Sequence, residues 1–493
     1  MQRNKRKKIY IFLGMIFFLL CMGVIVWTYQ FVKHITPEQI LENTFIQKQI
    51  KIGNTEKGIS KDIFAQVPTL LGFDTPKTYL FLFLNNTELR PGGGFIGSYA
   101  VVQFDRGNPH ILKVEGTETL DGNTPEDWKP TPPAPLAKYL GVDRWYFRDS
   151  NWSPDFAKSS EKTLELYRAE GGLLADNIDV VVGVTPSVLE EVIGITGPLT
   201  IDGITFDKEH LVETLEYEVE FGYRERGIPQ SKRKDIISKV MKEIFTKLVE
   251  QSVKSLDLAK YLPVITHLMD EKHIILYAQD AQLQTYLRNE SWTGETPTQI
   301  EGDYLQWVDA NLAALKTDHA MKRSLNYHLE KQEQGTYLAS ATMNYTHTGV
   351  FDWRTSRYLT YARVFVPPGA RISSAIIKNG EKTTIINASQ IDQGEELGKK
   401  WFGTYYALEP GQQGSLTFIY TLPSTIATIG ENGPYTLLIQ KQLGTTANGL
   451  TLNLLFDKNI VGAEPSEEQE EWGNTTYTVD TDLTVDRKFT IQF

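Results

Sequence analysis

Apolar and polar residues follow three successive patterns along the 493-residue chain. Residues 9–29 form an uninterrupted apolar run, whereas residues 76–330 alternate short β-branched runs with amphipathic segments. Over residues 335–493, apolar residues recur at every second position in short segments. These patterns predict, in order, a membrane-spanning helix, an α/β domain and an all-β domain.

The apolar run is long enough to cross a lipid bilayer. A helix rises about 1.5 Å per residue, and the hydrocarbon core of a bilayer is about 30 Å thick. Residues 1–8 are rich in lysine and arginine and contain no acidic residue. We therefore predict a cytoplasmic basic tail at 1–8, a single membrane anchor at 9–29 and an extracytoplasmic remainder. The absence of a small-residue cleavage site favours a retained anchor over a cleaved signal peptide.

Residues 33–75 predict a mostly helical stalk, in which Pro37 suits the first turn of a helix. Beyond it, two apolar runs flank a glycine-rich turn and predict a pair of strands, and the sequence NIDVVVGV at 177–184 predicts a strand buried on both faces. Amphipathic helices are predicted near 159–169 and 207–220. Strands that alternate with helices predict an α/β domain over 76–330 with a largely parallel or mixed central sheet.

The pattern over 335–493 is typical of strands that are buried on one face. Leu450, Leu452 and Leu454 alternate with mostly polar neighbours, and similar sets occur at 416–422 and 489–493. Glycine, proline and asparagine turns separate these segments. We therefore predict a C-terminal β-sandwich.

Composition narrows the range of functions. The net charge is −11, so the chain as a whole does not attract nucleic-acid phosphates, and we expect no nucleic-acid partner. Cys21 is the only cysteine, which excludes an intrachain disulfide and a cysteine-rich metal site. The sequence contains no nucleophile elbow, Walker loop or HExxH motif. Ordinary hydrolase and nucleotide-dependent activities are therefore not expected.

The glycine-rich turn is the first candidate site. Gly92, Gly93 and Gly94 follow Arg90 and Pro91, and consecutive glycines let a ligand or another strand approach the backbone closely. A turn of this kind at the end of a buried strand is a common place for a ligand in α/β proteins. Two interpretations stay open, a ligand-binding mouth and a tight hairpin whose polar residues cap the backbone.

The second candidate site is the densest basic segment outside the N-terminus. It comprises Arg224, Arg226, Lys232, Arg233 and Lys234, at a loop that leads into a predicted helix. Helix starts favour anions, and arginine binds phosphate through two parallel hydrogen bonds. The segment predicts either a site for a phosphate-bearing ligand or a solvated helix start.

Three motifs in this order resemble an uncharacterised family of exported bacterial proteins: ELRPGGGFIGSY, RDSNWSPDF at 148–156 and GDYLQWVDANLAALK at 302–316. The segments NIDVVVGVTPSVLEEVIGITGPLTIDG and YRERGIPQSKRKDII are distantly similar to the LytR-CpsA-Psr family. That family moves glycopolymers from polyprenyl-phosphate carriers onto the bacterial cell wall. The resemblance implies that the chain is a protein of the bacterial cell envelope, anchored in the cytoplasmic membrane, with a lipid-linked glycan as its partner.

The resemblance also implies roles for individual residues. Arginines of the corresponding basic segment hold the phosphates of the lipid carrier in the LytR-CpsA-Psr family, which implies this role for Arg224, Arg226 and Arg233. The candidate phosphate-binding residues of the whole chain are then Arg90, Gly92, Gly93, Gly94, Arg224, Arg226, Lys232 and Arg233.

The chain departs from that family at the metal site. The metal-binding aspartate of the family follows the first arginine, whereas Arg90 is followed here by proline and glycines. Glu88, Asp149 and Asp155 are the candidate ligands for Mg²⁺ in its place, and Arg90, Glu88 and Asp149 are the candidate catalytic residues. Aspartates also build turns by accepting hydrogen bonds from nearby backbone, and we favour turns for RDSNWSPDF.

Two functions from different classes follow. The first is an enzyme that binds and transfers polyprenyl-phosphate-linked glycopolymer, and the second is a non-catalytic envelope assembly protein that binds another envelope component through its sandwich. Convergence of Arg90, Arg224, Arg226 and Arg233 on one apolar-walled cleft would support the first function. Basic groups scattered over open surface would support the second.

Overall fold

The computed structural model describes residues 63, 65–233, 235–237, 239–240, 243–244, 247, 258–332, 335–426, 433–467 and 472–493. No helix within these residues is long and apolar enough to cross a membrane. The predicted basic tail at 1–8 and anchor at 9–29 lie outside the described residues, as does most of the predicted stalk at 33–75. In the described part of the stalk region, helix α1 spans Val67–Leu70.

The N-terminal domain is an α/β domain with a mixed sheet. Its strands are β1 (Lys77–Asn85), β2 (Phe95–Asp105), β3 (Asn108–Gly116), β4 (Val180–Val184), β5 (Leu199–Ile201), β6 (Ile204–Phe206) and β7 (Ile274–Ala278). In the described part of the chain, five of them form a sheet in the order β3-β2-β1-β4-β7. Strands β1 and β4 are parallel and the other neighbours antiparallel, which confirms the predicted mixed sheet.

Helices cover both faces of this sheet. Successive residues of β1 point to opposite faces, and because they are apolar on both faces, each face needs a covering layer. Tyr79 and Phe81 lie in one hydrophobic core, and Leu80 and Leu82 lie in another. The helices are α2 (Thr117–Asp121), α3 (Ala134–Leu140), α4 (Phe156–Ala169), α5 (Ser187–Thr196), α6 (Leu211–Tyr217), α7 (Tyr223–Glu225), α8 (Leu258–Asp270) and α9 (Ala281–Asn289). A π-helical turn, Glu218–Gly222, joins α6 to α7.

The C-terminal domain is a β-sandwich, as predicted. Its strands are β8 (Asp303–Asn311), β9 (Met321–Lys331), β10 (Tyr337–His347), β11 (Tyr358–Val366), β12 (Arg371–Asn379), β13 (Lys382–Asn387), β14 (Asp392–Glu396), β15 (Lys399–Leu408), β16 (Gln413–Thr421), β17 (Tyr435–Gln440), β18 (Gly449–Leu455), β19 (Gly462–Glu464), β20 (Thr476–Asp482) and β21 (Arg487–Gln492). Over the described ranges, seven strands form each sheet, in the orders β13-β12-β16-β10-β9-β18-β20 and β14-β15-β11-β8-β17-β21-β19.

The sandwich begins at β8, before the predicted boundary. The sequence pattern assigns residues up to 330 to the α/β domain and starts the sandwich at 335. Both β8 and β9 hydrogen-bond within the sheets of the sandwich instead. Every residue of β8 is buried, so this strand lacks the period-2 pattern and resembles a strand of an α/β sheet.

Candidate functional site

The turn after β1 lies between the two domains. The amide of Leu89 donates to Oδ2 of Asp318 at 3.0 Å, and its carbonyl accepts from the amide of Asn311 at 2.9 Å. The side-chain amide of Gln442 donates to the carbonyl of Arg90 at 3.3 Å. These three partners belong to the sandwich. We call residues 85–94 together with these partners the domain junction.

Arg90 is the centre of the domain junction. Its side chain is 3% exposed, and its guanidinium donates to Oδ1 of Asp149 at 3.1 Å and to Oε1 of Glu88 at 3.3 Å. It also donates to the carbonyl of Asn311 at 2.5 Å. Burial raises the pKa of Glu88, and the charge of Arg90 opposes that shift. The three candidate catalytic residues thus lie together in one ionic cluster, in which Arg90 and Asp149 are buried and Glu88 is partly exposed.

The triple-glycine turn is buried against backbone of the protein itself. The amide of Gly92 donates to the carbonyl of Asn151 at 2.9 Å, and the side chain of Asn151 donates to the carbonyl of Gly94 at 2.7 Å. Gly92 also forms a β-bridge with Leu443. A Cβ atom at Gly94 would lie 2.6 Å from the backbone of Asn85. Segments of this chain therefore occupy the space that the glycines leave around the turn.

The candidate Mg²⁺ ligands do not form a metal site. Glu88 and Asp149 both bond to Arg90. Asp155 caps helix α4 by accepting from the amide of Lys158 at 2.8 Å, and its other oxygen accepts from the amide of Thr296 at 2.7 Å. Across the described residues, no group of three or more His, Cys, Asp or Glu side chains could hold a metal ion. The residues present therefore do not fit Mg²⁺, and Asp155 serves as a helix cap that also bonds to the backbone of Thr296.

Two arginines of the basic segment pair with acidic residues close by in the sequence. Arg226 forms an ion pair with Glu218, whose side chain is buried. Nη1 of Arg233 lies 3.3 Å from Oε2 of Glu220. Both acidic residues belong to the π-helical turn, so these ion pairs hold the basic loop against that turn.

Two further members of the basic segment, Arg224 and Lys232, face solvent. Arg224 is exposed and donates to the hydroxyl of Tyr223 at 2.7 Å. Lys232 is exposed as well, and Lys234 lies outside the described residues. Arg226, Lys232 and Arg233 line one small pocket together with Glu218. Arg90 is buried at the domain junction and Arg224 is exposed, and neither of them lines that pocket.

A cleft of about 350 Å³ opens beside the domain junction, and we call it the central cleft. Its apolar wall consists of Phe95, Leu215, Val219 and Ile237. Its charged lining consists of Glu88, Glu118, Arg148, Glu216, Glu220, Arg233 and Lys316. Of the four predicted phosphate-binding arginines, all of which are described, Arg233 lines the cleft and the other three do not.

A buried pair of carboxyl groups lies behind Arg148. The carboxyl groups of Asp121 and Glu170 interact with each other, and Nη1 of Arg148 lies 3.2 Å from Oδ2 of Asp121. Burial raises the pKa of both acids, and their mutual repulsion raises that of Glu170 further. The native state therefore retains protons that the unfolded chain releases above about pH 4.

We expect this pair to make the protein less stable at alkaline pH. A raised native pKa gives a contribution to stability that is lost as the pH rises through the native pKa values. The free energy of unfolding should fall by about 2 kcal/mol between about pH 5 and about pH 9, and Glu170→Gln should flatten this dependence. Denaturant titrations across this pH range provide the measurement. Glu161→Gln, on the exposed side of α4, is the control, and an equal pH slope in both variants would contradict the assignment.

Two arginines of the sandwich were not singled out by the sequence patterns. Arg363 donates to the backbone carbonyl of Trp152 at 2.9 Å, and its guanidinium lies 4.9 Å from the centroid of the indole ring of Trp152. Arg323 pairs with Asp309 at 3.1 Å and also with Asp318. Both arginines are buried within strands. In β11, a charged residue inside a mostly apolar strand is the signal that points to such a position, whereas the mostly polar sequence of β9 gives no such signal for Arg323.

Comparison with curated proteins finds no match to the chain. Among solved structures, a candidate nutrient-binding protein from Legionella pneumophila matches 39% of this chain and 71% of its own, with 8% identity and a TM-score of 0.26. An M1 zinc metallopeptidase from Deinococcus radiodurans matches 35% of this chain with 10% identity and a TM-score of 0.15. The chain spans 42% of that metallopeptidase. Similarity at these TM-scores supports no functional argument.

One family comparison matches part of the chain, within the α/β domain. The matched region, residues 74–219, contains the turn ELRPGGGFIGSY and the segment RDSNWSPDF but not the third motif at 302–316. The expected relation to an uncharacterised family is thereby confirmed for this region, and the similarity to the LytR-CpsA-Psr family stays a prediction. Residues 74–219 match the family described as protein of unknown function DUF4012.

Proposed function

We propose that this chain is a non-catalytic envelope protein whose two domains act as one rigid body that binds another envelope component. The observation that supports the proposal is the placement of the three motifs. At the domain junction, Arg90 of the first motif donates both to Asp149 of the second motif and to the carbonyl of Asn311 of the third. Residues that serve to join two domains are not free to act on a substrate.

The state of the candidate catalytic groups favours the same proposal. A catalytic acid, base or metal ligand must reach the reacting atoms. Asp149 is 4% exposed, and the guanidinium of Arg90 already has carboxylate and carbonyl acceptors within the fold. Separation of Arg90 from Asp149 would leave a buried charge without its partner, which is strongly unfavourable. The cluster therefore suits a structural role.

The proposal predicts no turnover of lipid-linked glycans. The full chain in nanodiscs is incubated with a radiolabelled polyprenyl-pyrophosphate oligosaccharide, Mg²⁺ and cell-wall acceptor, and transfer of the label is measured. We expect no transfer above the level of empty nanodiscs. Transfer by the native chain that Arg148→Gln abolishes while leaving the fold intact would contradict the proposal.

The central cleft supports a second candidate function, the binding of a polyprenyl phosphate without transfer. Its apolar wall offers a surface for an isoprenoid chain, and three cations lie in its lining. Arg148 pairs with Asp121, and both Arg233 and Lys316 pair with Glu220. A phosphate would have to compete with these carboxylates, so this function ranks second.

This second function makes a separate prediction. Arg233→Ala should weaken the binding of polyprenyl phosphate about tenfold, because a hydrogen bond to a charged group contributes about 1.5–3 kcal/mol. Arg224→Ala is the matched control, since Arg224 is exposed and does not line the cleft. Calorimetric titration of the full chain in nanodiscs gives both affinities. Equal losses in the two variants, or no binding by the native chain, would reject the cleft as a phosphate site.

A further inference from the structure

We infer that an exposed apolar surface at the corner between helix α6 and the loop before β11 binds a segment of a partner protein that combines apolar and basic side chains. This inference rests on the proposed binding function and names the class of partner. The corner surface consists of Tyr217, Phe221, Leu315, Val350, Phe351 and Trp353.

The corner surface is unusually apolar for exposed surface. Eight large hydrophobic side chains are exposed in the described part of the chain, and four of them belong to it. Val350 is 71% exposed, Phe351 64%, Leu315 50% and Phe221 38%. Isolated apolar residues are ordinary on a protein surface, but a cluster of them marks a site of interaction.

Contacts between the two domains hold this surface in place. The ring centroid of Trp353 lies 5.7 Å from that of Tyr217 and 5.4 Å from that of Phe221, in edge-to-face geometry. The loop before β11 is also stabilised internally, because the side chain of Asp352 accepts from the amides of Arg354 and Thr355 at 2.8 and 2.6 Å. A surface held rigid before binding loses little conformational entropy when a partner docks.

Leu315 joins the same surface from the loop after β8. Its backbone forms a β-bridge with Thr355, and the amide of Lys316 donates to the carbonyl of Arg354 at 3.0 Å. The φ angle of Leu315 is 50°, in the left-handed region that costs a leucine roughly 1–2 kcal/mol. The fold thus holds an exposed leucine in a strained conformation against the loop that carries the exposed Val350 and Phe351.

The charges around the corner surface determine the kind of partner. Glu213 is 60% exposed, Glu225 accepts from the hydroxyl of Tyr217 at 2.7 Å, and Asp352 is exposed. Arg354 is 8% exposed, pairs closely with Glu216 and lies 4.0 Å from Glu213, so it offsets part of the charge of Glu213 but none of the three rim carboxylates has Arg354 as a close partner. Arg224 is the exposed cation of the neighbouring helix α7. An apolar surface with an acidic rim is complementary to apolar side chains flanked by lysine or arginine.

Other occupants fit these observations less well. An anionic membrane surface attracts basic segments and would be repelled by the acidic rim. The corner also lies at the end of β1 near Asn85, whose side chain donates to Glu216 at 3.3 Å. Helix α1 meets the opposite end of that strand, where the hydroxyl of Tyr79 donates to the carbonyl of Leu70 at 2.7 Å. The corner surface and helix α1 therefore lie at opposite ends of β1.

The test measures binding of a fluorescent amphipathic peptide of leucine and lysine to the full chain in phosphatidylcholine nanodiscs. We expect Phe351→Ser to weaken binding about tenfold, because truncation of a central aromatic residue is typically costly at an interface. Ile385→Ser is the matched control, since Ile385 is 65% exposed on edge strand β13 of the sandwich. Glu213→Gln should weaken peptide binding by a smaller factor than Phe351→Ser does. Added salt should weaken the binding of the peptide to the native chain, because it screens the charges of the rim.

Each alternative occupant gives a distinct result. Equal effects of Phe351→Ser and Ile385→Ser, or equal binding of a leucine–glutamate peptide, would overturn the inference. Binding of phosphatidylglycerol vesicles or soluble peptidoglycan fragments that depends on Phe351, without peptide binding, would overturn it as well, as would self-association that depends on Phe351. Failure of the proposed non-catalytic function would appear instead as turnover in the transfer assay, which contains no peptide.

Discussion

Replacement of Arg90 by alanine is expected to lower the free energy of unfolding by about 3–5 kcal/mol, the usual cost of removing one partner from a buried ion pair. The variant leaves Asp149 buried, at 4% exposure, without its main cation. It also removes a donor from the carbonyl of Asn311, which lies in the other domain. The loss should therefore affect both domains and not a reaction step.

Urea denaturation of the full chain measures this effect. Arg106→Ala is the control, because the side chain of Arg106 is 80% exposed and lies 3.9 Å from its partner Asp105. An exposed pair of this kind contributes at most about 1 kcal/mol. We also expect Arg90→Lys to recover only part of the loss, since one ammonium cannot reproduce the fixed fork of a guanidinium. A loss below about 1 kcal/mol in Arg90→Ala would show that the cluster is not structural.

Gly444→Ala is expected to cause the second-largest loss in the free energy of unfolding. The backbone of the triple-glycine turn and the backbone of the sandwich are in direct contact at this position. A Cβ atom at Gly444 would lie 1.8 Å from the carbonyl oxygen of Gly93, and its φ angle is 75°. The substitution combines left-handed strain with overpacking, so we expect a loss of about 2–5 kcal/mol. The side chain of Asn86, which donates to the carbonyl of Gly444 at 2.9 Å, should be displaced as well.

Gly411→Ala separates the two contributions to this loss. Gly411 has a φ angle of 76°, and a Cβ atom there would meet no atom within 4 Å. Its substitution should cost only the backbone strain, about 1–2 kcal/mol. Thermal unfolding of both variants gives the comparison. If the two variants lose equal stability, the close approach at the domain junction contributes nothing, and the described packing of the turn is wrong.

Most of the fold could be predicted because it depends on local periodicity. The continuous apolar run of β4 corresponds to a strand that is buried on both faces. The alternation of Leu450, Leu452 and Leu454 corresponds to a strand with one face in the core. The boundary between the domains was misplaced because β8 is buried on both sides, although it lies in a sandwich. Burial on both faces arises there from packing against the α/β domain, which no pattern within the strand reveals.

The site was harder to predict because the same residue types serve two purposes. Arginine and consecutive glycines suit a phosphate site, and they equally suit a junction where a guanidinium is buried and two backbones touch. The partners that decide between these roles, Asn311 and Gln442, lie 221 and 352 positions from Arg90. The pairing of Arg226 with Glu218 spans 8 positions, and the acidic residues that alternate through this segment were a local signal for it.

The central claim, that the three motifs join the two domains and do not form a reaction site, is tested most directly by hydrogen exchange in Arg90→Ala. Amides of β1 report on the α/β domain, and amides of β11 report on the sandwich. We predict that exchange accelerates by the same factor in both strands, because loss of the junction lowers the stability of one cooperative unit. Acceleration confined to β1, with β11 protected as in the native chain, would contradict the claim.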